Sequence, residues 1–347
     1  MSENGHSNGD GGGATIALTK ADFQSDQETR WCPGCGDYAI LNSVQTLMPE
    51  LGVPPEKTVF ISGIGCAGRF VYYMDTYGMH GIHGRAPALA TGIATSRTDL
   101  SVWVVSGDGD SLSIGGNHLI HALRRNVPIK LLTFNNQIYG LTKGQYSPTS
   151  ETGKVTKSTP FGSEDHPFNP LALALGADAS FVARTIDVEK AHVRETLKAA
   201  AEHPGAAFVE IYQNCNVFND GAFDAVRGKG GAHNQIRLEH GQPIRFGAEN
   251  ERGVVRSADG GLEVVEVADV GEDALVVHDA HVTDPSHATA LARLADSPTG
   301  PTPIGVFRDA KRDVYGSGRQ QALQVAHAES TLDDVDELLR SGDTWVV

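Results

Sequence analysis

The stretch "VWVVSGDGDSLSIGGNHLIHALRRNVPIKLLTFNN" (102–136) constrains this chain more than any other. Its first residues, "VWVVS", form an apolar, β-branched run of the kind that fills a buried strand. The run stops at Gly107-Asp108-Gly109-Asp110. The segment "GGNHLIHALRRN" (115–126) has helical spacing of its apolar residues, and "IKLLTF" (129–134) is a second buried strand ending at Asn135-Asn136. Strand, helix and strand in this order close as a right-handed crossover between parallel neighbours, so both carboxyl ends lie on one edge of the sheet. Ligands of open α/β sheets bind along that edge. Asp108 and Asn136, 28 positions apart, are expected to meet there.

The rest of the chain repeats the alternation. Ile40, Val44, Leu47 and Leu51 recur at helical spacing, with Asp37 as the expected cap. "TVFIS" (58–62) reads as a strand that ends in the Gly-rich turn "GIGCAGR", and "PALATGIATSRT" (87–98) as a helix. "DVEKAHVRETLKAAAEH" (187–203) and "AAFVEIY" (206–212) read as helix and strand. The predicted fold class is α/β, a mainly parallel sheet with helices on both faces. Residues 1–14 read as a flexible tail, 15–226 as the α/β domain, and 227–347 as a C-terminal extension of unknown role. In the extension, "RGKGG" (227–231) looks like a linker, two short strands are expected, and "LDDVDELLR" (332–340) is amphipathic.

The net charge of −15 argues against nonspecific nucleic-acid binding. No apolar run is long enough for a membrane span, and the first residues lack the features of a signal peptide. A cytoplasmic location is expected, where thiols stay reduced and a disulfide framework is not.

The residue types at the shared strand edge suit a divalent cation and a phosphorylated ligand. Magnesium takes oxygen ligands and commonly combines one or two carboxylates with substrate phosphates. Asp108, Asn136 and a backbone carbonyl at Ile138 form such an open set. Gly107 and Gly109 let the backbone approach a diphosphate closely. A lone Gly-Asp-Gly is usually an ordinary turn. The crossover frame and the second strand-end Asn pair favour the ligand reading, and the whole resembles the diphosphate-binding motif of thiamine diphosphate enzymes.

The chain has four cysteines, Cys32, Cys35, Cys66 and Cys215. "WCPGC" superficially resembles a thioredoxin motif, but no thioredoxin-sized βαβ frame precedes it. Structural zinc sites usually use two close pairs, whereas here one pair accompanies two distant singles. Iron–sulfur clusters accept four scattered thiolates. Position alone leaves a cluster, zinc and buried unligated thiols all open.

Together these pieces resemble the β subunit of 2-oxoacid:ferredoxin oxidoreductases, the 2-oxoglutarate type in particular. The matching stretches are "WCPGCGD" (31–37), "SGIGCAGR" (62–69), "HGIHGRAPALATG" (80–92), "GDGDSLSIGGNH" (107–118), "NNQIYGLTKGQYSPTS" (135–150) and "NC" (214–215). The resemblance implies a thiamine-diphosphate-binding fold and one [4Fe-4S] cluster on Cys32, Cys35, Cys66 and Cys215. It implies Mg²⁺ on Asp108, Asn136 and the backbone of Ile138. Thiamine diphosphate is expected along Ile64, Gly65, Cys66, Ala67, His83, Gly109, Asp110, Gly140 and Leu141. Arg69 and Lys143 match positions that hold the carboxylates of the 2-oxoacid, and His83 is a third candidate catalytic residue. The implied reaction is oxidative decarboxylation of 2-oxoglutarate to succinyl-CoA and CO2, with coenzyme A as acyl acceptor and ferredoxin as electron carrier. No second α/β domain of adequate length is visible, so a partner α (or α and γ) subunit is expected to complete the site. Alternatives are a pyruvate- or branched-chain-specific member, a non-oxidative thiamine diphosphate decarboxylase subunit with structural zinc, and a non-catalytic metal-binding subunit.

Overall fold

The computed structural model describes residues 17–258, 260–294, 300–329, 335–343 and 345. The expected N-terminal tail and part of the amphipathic segment at 332–340 lie outside the described residues. Among the described residues eleven strands form two sheets: β1 Thr58–Ser62, β2 Tyr77–His80, β3 Ser101–Gly107, β4 Lys130–Asn135, β5 Phe181–Ile186, β6 Ala207–Tyr212, β7 Gln235–Leu238, β8 Arg245–Phe246, β9 Arg252–Arg256, β10 Leu262–Glu266 and β11 Thr302–Asp309. The main sheet has the order β2-β1-β3-β4-β6-β5-β11-β7, and β8 to β10 form a small antiparallel sheet. The pairings from β2 through to β5 are all parallel, and only β11 runs antiparallel to β5. The expected α/β architecture is therefore present.

Helices cover both faces. On one side lie α1 (Asp37–Leu51) and α6 (Lys190–Glu202), packed through Ile40, Val44, Leu47, Val193 and Leu197 onto Phe60, Trp103 and Phe134. On the other lie α2 (Ala86–Ser96), α4 (Gly116–Arg124) and α5 (Pro170–Gly176), packed onto Val59, Val104, Leu131 and Phe208. The short helix α3 (Asp108–Leu112) starts directly at the end of β3.

Three local expectations need correction. Asp37 is the first residue of α1 rather than its cap; Gly36 holds the cap position without a side-chain bond. "RGKGG" contains a short helix, α7 (Gly228–Gly231), rather than an open linker. The sheet continues past residue 226, since β7 and β11 both join it. The strand β5, "FVARTI", has an arginine where a buried strand should be apolar. Arg184 is tolerated because Nε donates to Glu210 Oε2 at 2.7 Å, and Asn135 Nδ2 donates to Glu210 Oε1 at 2.7 Å. Among the described residues no helix is long and apolar enough to cross a membrane.

His278 is fully buried; Nε2 bonds the Val306 carbonyl of β11 at 2.8 Å and Nδ1 meets His287 Nε2 at 3.2 Å. Burial pushes its imidazole down to about 4. The unfolded chain, with an ordinary histidine, then binds more protons between about pH 4 and pH 6.5, so this residue's contribution falls as pH drops through that window. The effect is on the order of 3 kcal/mol between the two limits. Denaturant unfolding at pH 7 and pH 5 should show His278→Gln losing less stability on acidification than the parent. Parallel losses in both proteins would refute the assignment.

Candidate functional site

The parallel strands bring their following loops to one edge. A cavity opens there, lined by Ile64, Gly65, Cys66 and Ala67 after β1, His83 after β2, Gly107 to Asp110 at the end of β3 and just after it, and Phe134, Asn136 and Ile138 to Thr142 at the end of β4 and after it. All nine residues expected along thiamine diphosphate, and the three expected on Mg²⁺, line this one cavity.

Asp110 organises the loops. It is 5 % exposed, and its Oδ1 accepts from the Ile64 amide at 3.1 Å and the Gly84 amide at 2.9 Å. Its Oδ2 accepts from Ser106 Oγ at 2.7 Å. One carboxylate therefore ties the loops after β1 and β2 to the end of β3. Gly63 must be glycine for this to happen, because a Cβ there would stand 1.8 Å from Asp110 Oδ2. Gly109 is likewise covered by Tyr139, whose ring would meet an added Cβ at 2.2 Å and whose hydroxyl donates to the Gly109 carbonyl at 3.2 Å.

Asp108 is 2 % exposed and accepts from Ser147 Oγ at 2.5 Å and Thr149 Oγ1 at 2.6 Å, both on Oδ2. Burial pushes its carboxyl up to about 6, against the pull of those two hydroxyls. Asn136 has a fixed amide: Nδ2 donates to Gln213 Oε1 at 2.8 Å and Oδ1 accepts from the Ile138 amide at 3.2 Å. An amide oxygen carries a second lone pair. The buried carboxylate, the oriented amide oxygen and the adjoining backbone make a hard oxygen donor set, which fits Mg²⁺.

The four thiols gather at one side of the cavity. Cys66 Sγ and Cys215 Sγ both lie against Gly140, 3.5 and 3.7 Å from where its Cβ would be. The Cys32–Cys35 turn is closed by the Cys35 amide on the Cys32 carbonyl at 3.1 Å, and Gln213 Nε2 donates to Cys35 Sγ at 3.2 Å. Burial, with Asp37, Cys215 and Cys32 nearby, pushes the Cys66 thiol up to about 12. Burial and the Asp37 carboxylate push Cys35 higher still. Such thiols become thiolates only when a positive centre joins them, which fits an iron–sulfur cluster as the occupant. Among the described residues no three His, Cys, Asp or Glu side chains are gathered as a site for a single metal ion.

Arg69 lines a second cavity with Arg30, Tyr72 and His80, which shares Ile64, Gly65 and Leu141 with the first. Lys143 lines neither of these two cavities; it is exposed, with a left-handed φ of 77°. The sequence reading passes over three groups. Ser147 and Thr149 hold Asp108, and their only sequence signal is the hydroxyl-rich "SPTS" after the Asn pair. Asp37 is 1 % exposed, its oxygens meet no hydrogen-bond partner within ordinary geometry among the described residues, and it lines the same cavity. Burial pushes its carboxyl up to about 7. Its place two residues after "CPGC" is the available clue.

Replacing Asp110 by Asn removes a charged acceptor of three bonds and should cost about 3 kcal/mol in denaturant unfolding. Amide exchange at Ile64 and Gly84 should accelerate selectively. Unchanged exchange at both positions would show that the loops hold without the carboxylate.

Residues 63–211 match the family model described as thiamine pyrophosphate enzyme, C-terminal TPP binding domain. Over 328 residues the chain is 58 % identical to 2-oxoglutarate oxidoreductase subunit KorB of Mycobacterium tuberculosis, covering 94 % of this chain and 88 % of that one. It is 42 % identical over 200 residues to 2-oxoacid:ferredoxin oxidoreductase 1, subunit beta, of Aeropyrum pernix, covering 58 % and 63 %. A solved structure of 2-oxoglutarate:ferredoxin oxidoreductase from Magnetococcus marinus with 2-oxoglutarate, coenzyme A and succinyl-CoA bound superposes with a TM-score of 0.75 at 32 % identity, covering 95 % of this chain and 97 % of that one. The sheet edge, its cavity and these likenesses place the chain in the family of 2-oxoacid:ferredoxin oxidoreductase β subunits.

Proposed function

We propose that this chain is the catalytic β subunit of a 2-oxoglutarate:ferredoxin oxidoreductase, which converts 2-oxoglutarate and coenzyme A to succinyl-CoA and CO2. The observation that carries the reading is the double position of Cys66. It lines the cofactor cavity beside Ile64 and Ala67, and its sulfur packs with that of Cys215 on Gly140. A cofactor in the cavity and a cluster on Cys32, Cys35, Cys66 and Cys215 are then immediate neighbours. The M. tuberculosis and Magnetococcus proteins carry 2-oxoglutarate in their names, which favours that substrate over pyruvate or a branched-chain acid.

Bound thiamine diphosphate supplies the electron sink for loss of CO2, and a [4Fe-4S] cluster supplies a one-electron acceptor beside it. Asp108, Asn136 Oδ1 and the Ile138 carbonyl hold Mg²⁺, which anchors the diphosphate. Gly107 and Gly109 admit its oxygens close to the backbone. Ile64, Gly65, Ala67, Gly140 and Leu141 wall the cofactor, and His83 contributes a polar group to the same wall. Asp110 keeps these walls in register. Arg69, at the joined mouth of the two cavities, pairs with a substrate carboxylate. Lys143 supplies the second cation once its exposed loop is covered by substrate and the α subunit. That subunit closes the site and brings coenzyme A, and ferredoxin removes two electrons, one at a time.

The test is reduction of methyl viologen by the co-purified complex, dependent on coenzyme A, with 2-oxoglutarate, pyruvate and a branched-chain 2-oxoacid compared. A charge-assisted hydrogen bond contributes roughly 1.5–3 kcal/mol, so Arg69→Ala should lower kcat/KM for 2-oxoglutarate by about one to two orders of magnitude. Unchanged kinetics would remove Arg69 from the substrate site. In the same complex, Asp108→Ala should abolish thiamine diphosphate binding by calorimetry while the circular dichroism of the fold persists. Asn136→Ala should raise the Mg²⁺ requirement. Tight binding to Asp108→Ala that EDTA does not disturb would place the metal elsewhere.

A further inference from the structure

Gln213 and Asn136 are each the first residue after a strand, β6 and β4, and these strands are parallel neighbours with Asn135 paired to Tyr212. The Gln213 amide extends that pairing by donating to the Asn135 carbonyl at 2.9 Å. The two side chains therefore leave the same sheet edge beside one another. Gln213 is 1 % exposed, and both polar atoms of its side chain are bonded. Nε2 donates to the Asn214 carbonyl at 2.7 Å and to Cys35 Sγ at 3.2 Å, and Oε1 accepts from Asn136 Nδ2 at 2.8 Å.

The Asn214 carbonyl fixes which way this amide faces. A backbone carbonyl only accepts, so Nε2 rather than Oε1 must stand against it. The same carbonyl accepts from the Gly36 amide at 3.1 Å, which holds the residue after Cys35 against the residue before Cys215. With its nitrogen so placed, Gln213 turns its oxygen to Asn136. Asn136 must answer with Nδ2, and its Oδ1 is left on the Ile138 side, where it accepts from the Ile138 amide at 3.2 Å. That oxygen is the one that meets Mg²⁺ in the proposed function. A fixed orientation thus passes from the cysteine loops to the cation site through two amides. A glutamine that served only to close its own backbone would use the Asn214 bond alone.

We infer that Gln213 is a positioning residue shared by the two metal centres: its oxygen sets the amide of Asn136 toward Mg²⁺, and its second N–H bonds the Cys35 sulfur of the cluster. The inference rests on the proposed function and deepens it by naming a side chain that touches a ligand of each centre. The electrostatic consequence has a definite sign. Reduction adds negative charge to the cluster and its sulfurs, and an N–H aimed at a sulfur favours the reduced form. Hydrogen bonds to the sulfurs are among the factors that set cluster potentials. Gln213 therefore raises the potential of the acceptor beside the cofactor, and no atom is transferred through it.

The experiment uses the anaerobically co-purified complex. Cluster potential is read by EPR-monitored redox titration, and Mg²⁺ affinity by calorimetry with thiamine diphosphate present. Gln213→Leu removes donor and acceptor together. It should lower the midpoint potential by about 59 mV, a tenfold change in a one-electron equilibrium. It should also weaken Mg²⁺ binding about tenfold, the loss of one oriented ligand bond. Gln213→Glu keeps an acceptor for Asn136 and loses the N–H toward Cys35, so it should lower the potential at least as far while Mg²⁺ affinity stays within about twofold of the parent. General loosening of the loops would instead weaken both centres in both variants. A third measurement needs no substitution: pulsed EPR of the reduced parent complex, with glutamine isotopically labelled at its side-chain nitrogen, should show a weak nitrogen coupling to the cluster. Absence of that coupling, a parental potential in both variants, or the same Mg²⁺ affinity in the two variants overturns the inference. Where neither variant loads a cluster, the labelled parent decides. A parent complex that contains no iron–sulfur cluster would instead bring down the proposed function, and the inference with it.

Discussion

One buried carboxylate holds the site together. Asp110 accepts bonds from Ile64, Gly84 and Ser106, which belong to three segments that the sheet brings to one edge. Loops at a strand edge gain little from the ladder bonds below them, so their mutual positions need a separate device. A carboxylate suits this role because it accepts several bonds at once and is buried at low cost only when all are made. The glycines at 63 and 109 follow from the same crowding, since each is pressed by a side chain, Asp110 or Tyr139, that crosses over it.

The cavity is lined by acidic groups that the chain cannot neutralise by itself. Asp37 and Asp108 are buried and both are pushed toward their protonated forms. Cys35 and Cys66 are held as thiols by burial. A folded chain with uncompensated acids stores an affinity for cations, because each metal that binds relieves a desolvation cost already incurred. Asp37 acts on the Cys35 and Cys66 thiols and also lines the cavity that holds Asp108.

Much of this was legible in the sequence, and the misses have physical causes. The strand–helix–strand frame predicts the shared edge because handedness leaves one way to close it. That prediction brings Asp108 and Asn136 into one cavity. Strand β5 escapes a periodicity search because Arg184 interrupts it, and only the partner Glu210, 26 residues on, makes the charge acceptable. Asp37 has the composition of a helix start and the location of a site residue, and local pattern cannot separate these. Lys143 belongs to a motif that matches well, yet the path of its loop depends on Gly144, Phe218 and the turn beneath them, which no short-range rule describes. The end of the chain looked detached because β7 is short and β11 contains a proline and a glycine.

The placement of β11 bears on how this protein is made. It pairs with β5 across more than a hundred residues and runs antiparallel where the rest of the sheet is parallel. During synthesis β1 to β6 can all associate while β11 is still unformed. Until it arrives, β5 is an open edge with apolar residues on either side of it, the kind of edge that recruits other chains. Long-range pairing of this sort also slows folding. The last strand of the main sheet to emerge from the ribosome therefore serves as the latch that ends the nascent chain's exposure to aggregation.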